Sequence, residues 1–193
     1  MAKTLKPKSA LREWIESIVI AFILAMFIRT FIVQAFKIPT GSMRTTLLEG
    51  DRILVNKFIY GARIPFTNFR LPALRQPRRG DVIVFIYPED QTRDFIKRLV
   101  AVGGETAEIN NGNIYINGKL CEDADFRQRF YYNRGEYGQE GQKVIVPADS
   151  YFVLGDNSAS SRDSRYWGFV SKKMLVGKAI IIYWPLNRIR IIK

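Results

Sequence analysis

Ser42 and Lys97 stand out as candidate chemical groups because of what the chain lacks, which is histidine. That absence rules out a Ser-His-Asp triad, a Cys-His dyad and any histidine-based metal site. Acid–base chemistry near neutral pH then falls to a carboxylate or a lysine. A lysine acts as a base only when neutral, so burial must bring its usual pKa of about 10.4 down to about 7, a differential cost of about 4 kcal/mol. The base must therefore sit on an apolar face. In RDFIKRLV (93–100) strand alternation puts Phe95, Lys97 and Leu99 on one side and Ile96, Arg98 and Val100 on the other. Arg98 cannot deprotonate. Lys57 in RILVNKFIY, flanked by Val55 and Ile59 on its own face, meets the same condition. Either lysine also reads as a snorkelling side chain at a strand edge. Ser42 lies in FKIPTGSM (36–43), and Pro-Thr-Gly-Ser suits a plain turn as well as a nucleophile. Pattern alone leaves these choices open.

The elements that hold these residues begin with an apolar run. From Trp14 to Phe36 the chain reads WIESIVIAFILAMFIRTFIVQAF, with Ile18–Ile28 uninterrupted. Ser17–Phe36 supplies the roughly 20 residues that cross a bilayer core, and Arg29 lies near enough to its far end to snorkel. No small-x-small cleavage site follows promptly, so the run is expected to be an uncleaved anchor. Lys3, Lys6, Lys8 and Arg12 precede it with no acidic residue before Glu13, which puts the N-terminus in the cytoplasm by the positive-inside rule. The expected division is a basic cytoplasmic tail at 1–13, an anchor at 14–36 and an extracytoplasmic domain at 37–193.

Composition agrees with an ordered domain, 47% hydrophobic and 13% aromatic over 193 residues. The formal charge of +12 calls for an anionic neighbour. With the domain outside, that neighbour is a lipid surface rather than nucleic acid. Cys121 is the single cysteine, so no intrachain disulfide forms. After Met43 short β-branched and aromatic runs replace helical periodicity: 52–60, 81–87, 93–102, 113–117, 143–146, 150–154 and 178–184. NNGN, NG and PAD punctuate them, and NIYING reads as a hairpin. The proline-bearing stretch 61–79 and the stretch 126–141 read as irregular loops. An all-β domain on one helical anchor is expected.

Four segments, in order, resemble the bacterial type I signal peptidases, membrane-anchored Ser-Lys endopeptidases. They are FKIPTGSMRTTLLEGD at 36–51, ILVNKFIYG at 53–61, RRGDVIVF…DFIKRLVAVGGE across 78–105 and GDNSASSRDSRYWGFV at 155–170. The resemblance implies a mainly β fold, with an N-terminal transmembrane helix followed by a two-lobed antiparallel β-sheet catalytic domain and the dyad in a groove. It makes Ser42 the nucleophile and Lys97 the general base, leaving Lys57 structural. It implies an oxyanion hole from the Ser42 N–H and the Thr40 hydroxyl, and Ser161 as the group that hydrogen-bonds and orients the lysine. Asp156, Asp163 and Arg165 brace the site, the last two as an ion pair. Ile38, Met43, Leu47 and Phe95 line a first substrate pocket, and Phe36, Ile53 and Ile96 a third.

The resemblance implies cleavage of preprotein signal peptides after small-x-small sites at a bacterial plasma membrane, beside membrane lipids and the translocation machinery. It implies no cofactor, no metal and no nucleic acid. Three departures stand out. Thr40 replaces the commoner serine, and Arg44-Thr45-Thr46 replaces x-Pro-Thr, which predicts a looser turn after the nucleophile. SASS at 158–161 replaces an Arg-Asp-Asn-Ser-like run, which removes a charged pair from the site's support. Two other classes fit parts of the chain. A self-cleaving Ser-Lys regulator needs a DNA-binding head where residues 1–35 encode an anchor. A polybasic membrane adaptor needs Ser42 to be only a turn residue.

Overall fold

A computed structural model describes residues 10–65, 67 and 69–192. Lys3, Lys6 and Lys8 of the expected cytoplasmic tail lie outside those residues. The chain starts with helix α1 (Ala10–Phe27) and one wider π turn (Ile28–Ile32). No residue of α1 is buried, and the 23 residues Ala10–Ile32 are long and apolar enough to cross a membrane. At 1.5 Å per residue they reach about 34 Å, against a hydrocarbon core of about 30 Å. The helix stops short of the expected Phe36, because Val33 turns to extended backbone (φ −137°). Residues 33–37 instead form strand β1, Val33–Lys37. The sheet thus begins inside the stretch assigned to the anchor. The physical reason is pairing. β1 lies antiparallel to β2 (Arg52–Asn56), Phe36 opposite Ile53, and an alternating V-Q-A-F-K segment satisfies its backbone there better than as a last helical turn.

The remaining strands are β3 (Val82–Ile86), β4 (Asp94–Val102), β5 (Thr106–Asn110), β6 (Asn113–Ile116), β7 (Lys119–Leu120), β8 (Val144–Ile145), β9 (Ser150–Leu154), β10 (Val170–Ser171), β11 (Leu175–Trp184) and β12 (Arg190–Ile191). Short helices α2 (Ala124–Arg127) and α3 (Ser164–Trp167) complete the chain. An eight-stranded antiparallel sheet runs β1-β2-β11-β3-β4-β9-β10, with β12 on β11, and a four-stranded sheet runs β7-β6-β5-β8. This is the expected two-sheet, mainly β architecture. Five strands, β1, β5, β7, β10 and β12, fall outside the runs read from sequence. Three of them are two residues long, and pairing partners rather than local propensity make such strands.

The run 52–60 is shorter than expected. Asn56 Oδ1 accepts from the Ile59 N–H at 3.0 Å and bends residues 58–60 into a 3₁₀ turn. Gly61 follows at φ +78°, where a Cβ would lie 2.2 Å from the Leu71 carbonyl oxygen, so only glycine lets the 61–79 loop pack so closely. That loop is tied down by Asp81, whose carboxylate accepts from Arg75, Lys178, Tyr60 and the Arg78 N–H. Burial alone would raise this carboxyl, but those donors hold it well below the ordinary carboxylate range. In the small sheet Asn111-Gly112 and Asn117-Gly118 all have positive φ, which makes two tight hairpins around the NIYING strand.

Candidate active site

Two loops and one strand converge on the nucleophile position. Pro39 and Thr40 end the β1 extension, and Gly41–Met43 makes a single 3₁₀ turn with Thr40 extended at its head. The leading N–H groups of such a turn have no partner within it, so the Ser42 N–H is available to an acceptor from outside. Thr40 is exposed, and its side chain makes no capping bond. The turn is not loosened by Arg44-Thr45-Thr46. Thr45 takes a positive φ (84°), the Thr46 and Leu47 N–H groups both bond the Met43 carbonyl, and the Thr46 hydroxyl donates to Asp156. Thr45, where the family pattern has proline, takes a φ that proline cannot adopt, so the turn is held by these hydrogen bonds and not by a fixed φ.

Lys97 comes from β4, paired with Ile83 of β3. Its Nζ donates to Ser42 Oγ at 2.7 Å and to its neighbour's carbonyl, Ile96 O, at 3.0 Å. Only 3% of the residue is exposed. Desolvation pulls its pKa down to about 8, with Arg165 adding in the same direction while the carboxylates of Asp163 and Asp156 oppose it. Lys57 sits elsewhere. Its Nζ reaches Gln34 Oε1 at 3.2 Å and the Arg29 carbonyl at 3.4 Å, in a polar cavity near the end of the anchor. Burial lowers Lys57 as well. Depressed pKa therefore does not separate the two lysines; proximity to Ser42 does.

The GDN loop after β9 closes on the nucleophile from the other side. Asn157 N donates to the Ser42 carbonyl at 3.0 Å, and Asn157 Nδ2 to the Gly41 carbonyl at 2.9 Å. A Cβ on Gly155 would fall 2.6 Å from Ser42 O and 2.1 Å from Ser161 Oγ, so this approach demands glycine. Ser161 Oγ is buried and has no hydrogen-bond partner among the described residues. The bond from Ser161 to Lys97 that the resemblance implies is therefore not made; Lys97 Nζ instead bonds Ser42 and Ile96.

The charged support missing from SASS comes from two buried ion pairs. Asp163 caps α3 and binds Arg165 through both carboxylate oxygens at 2.8 Å, with both side chains fully buried. Asp163 also accepts from the Gly155 N–H at 2.9 Å. Arg165 in turn grips the Ser158 hydroxyl and carbonyl and the Ser161 carbonyl, so one guanidinium holds the SASS turn in place. Asp156 is bound bidentately by Arg98 at 2.8 Å. Arg98, Arg129, Thr46 and Asn157 are neighbours of the dyad's loops to which the sequence reading gave no role. A signal for Arg98 existed, since an arginine inside an apolar strand has to find a carboxylate to be buried.

Beside the dyad a crevice of about 270 Å³ is lined by Phe36, Ile38, Ile53, Phe95 and Ile96, five of the seven expected pocket residues. Met43 and Leu47 do not line it. Both are fully buried, because the 3₁₀ turn carries them into the core cluster that underlies the crevice. The crevice is also less purely apolar than expected, with Lys37 and Asp94 in its lining. It lies between two unpaired strand edges. β1 ends the large sheet, and β4 is paired only with β3 until β9 joins at Arg98.

A profile of the family described as "Signal peptidase, peptidase S26" matches residues 11–184 of this chain. Signal peptidase I of Aquifex aeolicus is 35% identical, the match covering 90% of this chain and 84% of that protein. The probable signal peptidase I-2 of Synechocystis is 37% identical, covering 95% of this chain and 78% of that protein. A crystal structure of a signal peptidase I from Enterococcus faecalis is 32% identical, with a TM-score of 0.45 over 54% of this chain and 97% of that one.

Proposed function

The chain belongs to the signal peptidase family, peptidase S26, and from that premise we propose how this membrane-associated peptidase removes signal peptides from preproteins. Ser42 is the nucleophile and Lys97 the general base. Neutral Lys97 Nζ takes the Ser42 hydroxyl proton as Oγ attacks the scissile carbonyl. The resulting oxyanion accepts from the Ser42 N–H and the Thr40 hydroxyl. Protonated Lys97 then gives its proton to the departing amine, and water, deprotonated by Lys97, releases the acyl group from Ser42. The 2.7 Å separation of Lys97 Nζ and Ser42 Oγ inside a water-poor site carries this reading. Asp163–Arg165 and Arg98–Asp156 fix the loops around the dyad, and Ser161 fills the space behind Gly155.

The pH dependence follows from Lys97. With its pKa near 8, the neutral fraction falls about tenfold for each pH unit below that value. kcat/KM is expected to climb through neutral pH and level above about 8. A profile flat from pH 6 to 9 would remove Lys97 as the base.

The substrate enters as an extended strand between the free edges of β1 and β4, completing hydrogen bonding on both. In that pose alternate side chains point into the crevice, so the first and third residues before the scissile bond meet its walls and the second does not. An Ala-x-Ala preprotein is expected to be cut. Leucine at the first position should lower kcat/KM by about 10²-fold, because overfilling a small crevice moves the carbonyl by about 1 Å from Ser42. Equal cleavage of the two substrates in a purified-enzyme assay contradicts the crevice as the specificity site.

Helix α1 and its π turn span the plasma membrane once, beside the lipids and the translocation machinery that delivers preproteins. The N-terminal basic residues stay in the cytoplasm and the sheets lie outside, an orientation supported by Lys3, Lys6, Lys8 and Arg12. In inverted vesicles added protease should remove an N-terminal tag and spare the sheets; the opposite pattern overturns the orientation.

A further inference from the structure

A second groove, of about 790 Å³, opens on the other side of the nucleophile from the apolar crevice in chain order. Residues 36–39 line the crevice, 41–43 carry Ser42, and Arg44 and Thr45 line the groove. Asn157 joins the two, since it lines the groove while bonding the carbonyls of Gly41 and Ser42. A polypeptide held across Ser42 has to leave along this path. Resting on the activity proposed above, we infer that this groove binds the first residues of the mature protein and favours acidic side chains at their second to fourth positions.

The charge of the groove carries the inference. Arg44 and Arg129 line it, and Asp156 is its one carboxylate. That carboxylate is spent, with its side chain 0% exposed and bound bidentately by Arg98. Arg44 is matched by Glu49 at the surface. Arg129 donates to the Thr46 hydroxyl at 3.1 Å and has a share of Asp156 at 3.4 Å, and its Nε has no partner among the described residues. Beside it Arg134 donates to the Ala159 carbonyl at 2.7 Å and lies over the Tyr132 ring at 5.3 Å. Among the described residues Arg134 makes no ion pair. Arg134 thus has no carboxylate and Arg129 shares its one with Arg98, so positive charge exceeds negative along the groove. Phe130 and Tyr132, edge to face at 5.0 Å and both exposed, give the groove an apolar wall for the substrate backbone and stems. The crevice before the scissile bond lacks such an excess, having one lysine and one aspartate. Four extended residues cover about 13 Å, so an acidic side chain in this stretch lies within reach of Arg129 or Arg134. A basic one meets uncompensated positive charge instead.

The test uses the full chain in detergent micelles and three peptides with one signal segment and one Ala-x-Ala site. Their second and third mature residues are Asp-Glu, Ala-Ala or Lys-Arg. The acidic peptide should exceed the basic one by about tenfold in kcat/KM at low salt, which is what two partly exposed ion pairs supply. The ratio should shrink in 0.5 M salt. Arg134→Glu, at an exposed position, should bring the ratio to one or below, and Arg134→Lys should keep most of it. Equal cleavage of the three peptides, or a ratio that Arg134→Glu leaves untouched, overturns the groove while leaving the peptidase intact. Cleavage of none of them overturns both.

Discussion

Ser42→Ala and Lys97→Met are each expected to lower kcat/KM by about 10⁴–10⁶-fold, and the double variant by no more than either alone. Nucleophile and base form one proton-transfer unit, so removing either half removes the whole. Methionine keeps most of the lysine's volume in a site where only 3% of the residue is exposed, so the loss reports chemistry rather than a cavity. Lys97→Arg should be as inactive, since a guanidinium stays protonated and cannot accept the hydroxyl proton. Lys57→Ala is the informative control. Lys57 is also partly desolvated, but its ammonium group is held by Gln34 and the Arg29 carbonyl. Turnover should stay within a fewfold of the parent. A Lys97→Arg enzyme that cleaves at a comparable rate, or a Lys57→Ala enzyme that does not, assigns the base wrongly.

Breaking the Asp163–Arg165 pair should have the largest effect on stability. Both side chains are completely buried, and Arg165 is, with Arg98, among the largest side chains in the interior. Arg165→Ala leaves the Asp163 carboxylate in the core without its partner and frees the Ser158 and Ser161 carbonyls. Removal of one member of a buried pair costs about 3–5 kcal/mol. For a domain of this size that lowers Tm by about 6–20 °C. Asp163→Asn keeps the shape but removes the same pair from the other side, leaving the Arg165 guanidinium unpaired, and it reports on Lys97 as well. Asp163 is the carboxylate that most opposes the depression of the Lys97 pKa. Its neutralisation should move the acid limb of the pH–rate profile to lower pH. A melting temperature within 2 °C of the parent for Arg165→Ala, or an acid limb that moves upward in Asp163→Asn, contradicts this account of the site's electrostatics.

Several elements were legible before any coordinates. The apolar run announced a helix with no soluble face, and the runs at 81–87, 93–102 and 150–154 hold strands β3, β4 and β9, because β-branched and aromatic residues dominate them. The Asn-Gly pairs fixed two hairpins through the positive φ they permit. The anchor ends before the expected Phe36, since Val33, Ala35 and Phe36 prolong its apolar run and only β2 across the sheet makes the segment a strand. Two-residue strands such as β10 and β12 carry no readable period at all.

The same division runs through the site. Residue types alone narrowed the base to a carboxylate or a lysine, because a chain without histidine has few other bases near neutral pH, and the resemblance pointed to a serine with a lysine. Pattern did not decide between Lys57 and Lys97, because a lysine between apolar neighbours looks the same whether it faces a nucleophile or a lipid surface. The sequence separation of 55 between Ser42 and Lys97 is closed by strand pairing, a relation between distant segments that local propensity does not encode. The exclusion of Met43 and Leu47 from the crevice and the partners of Arg98 and Arg165 are likewise set by which loops meet. Burial and charge pairing are properties of the packed whole. Sequence determined what chemistry this protein has available, and tertiary structure decided which lysine is close enough and dry enough to use it.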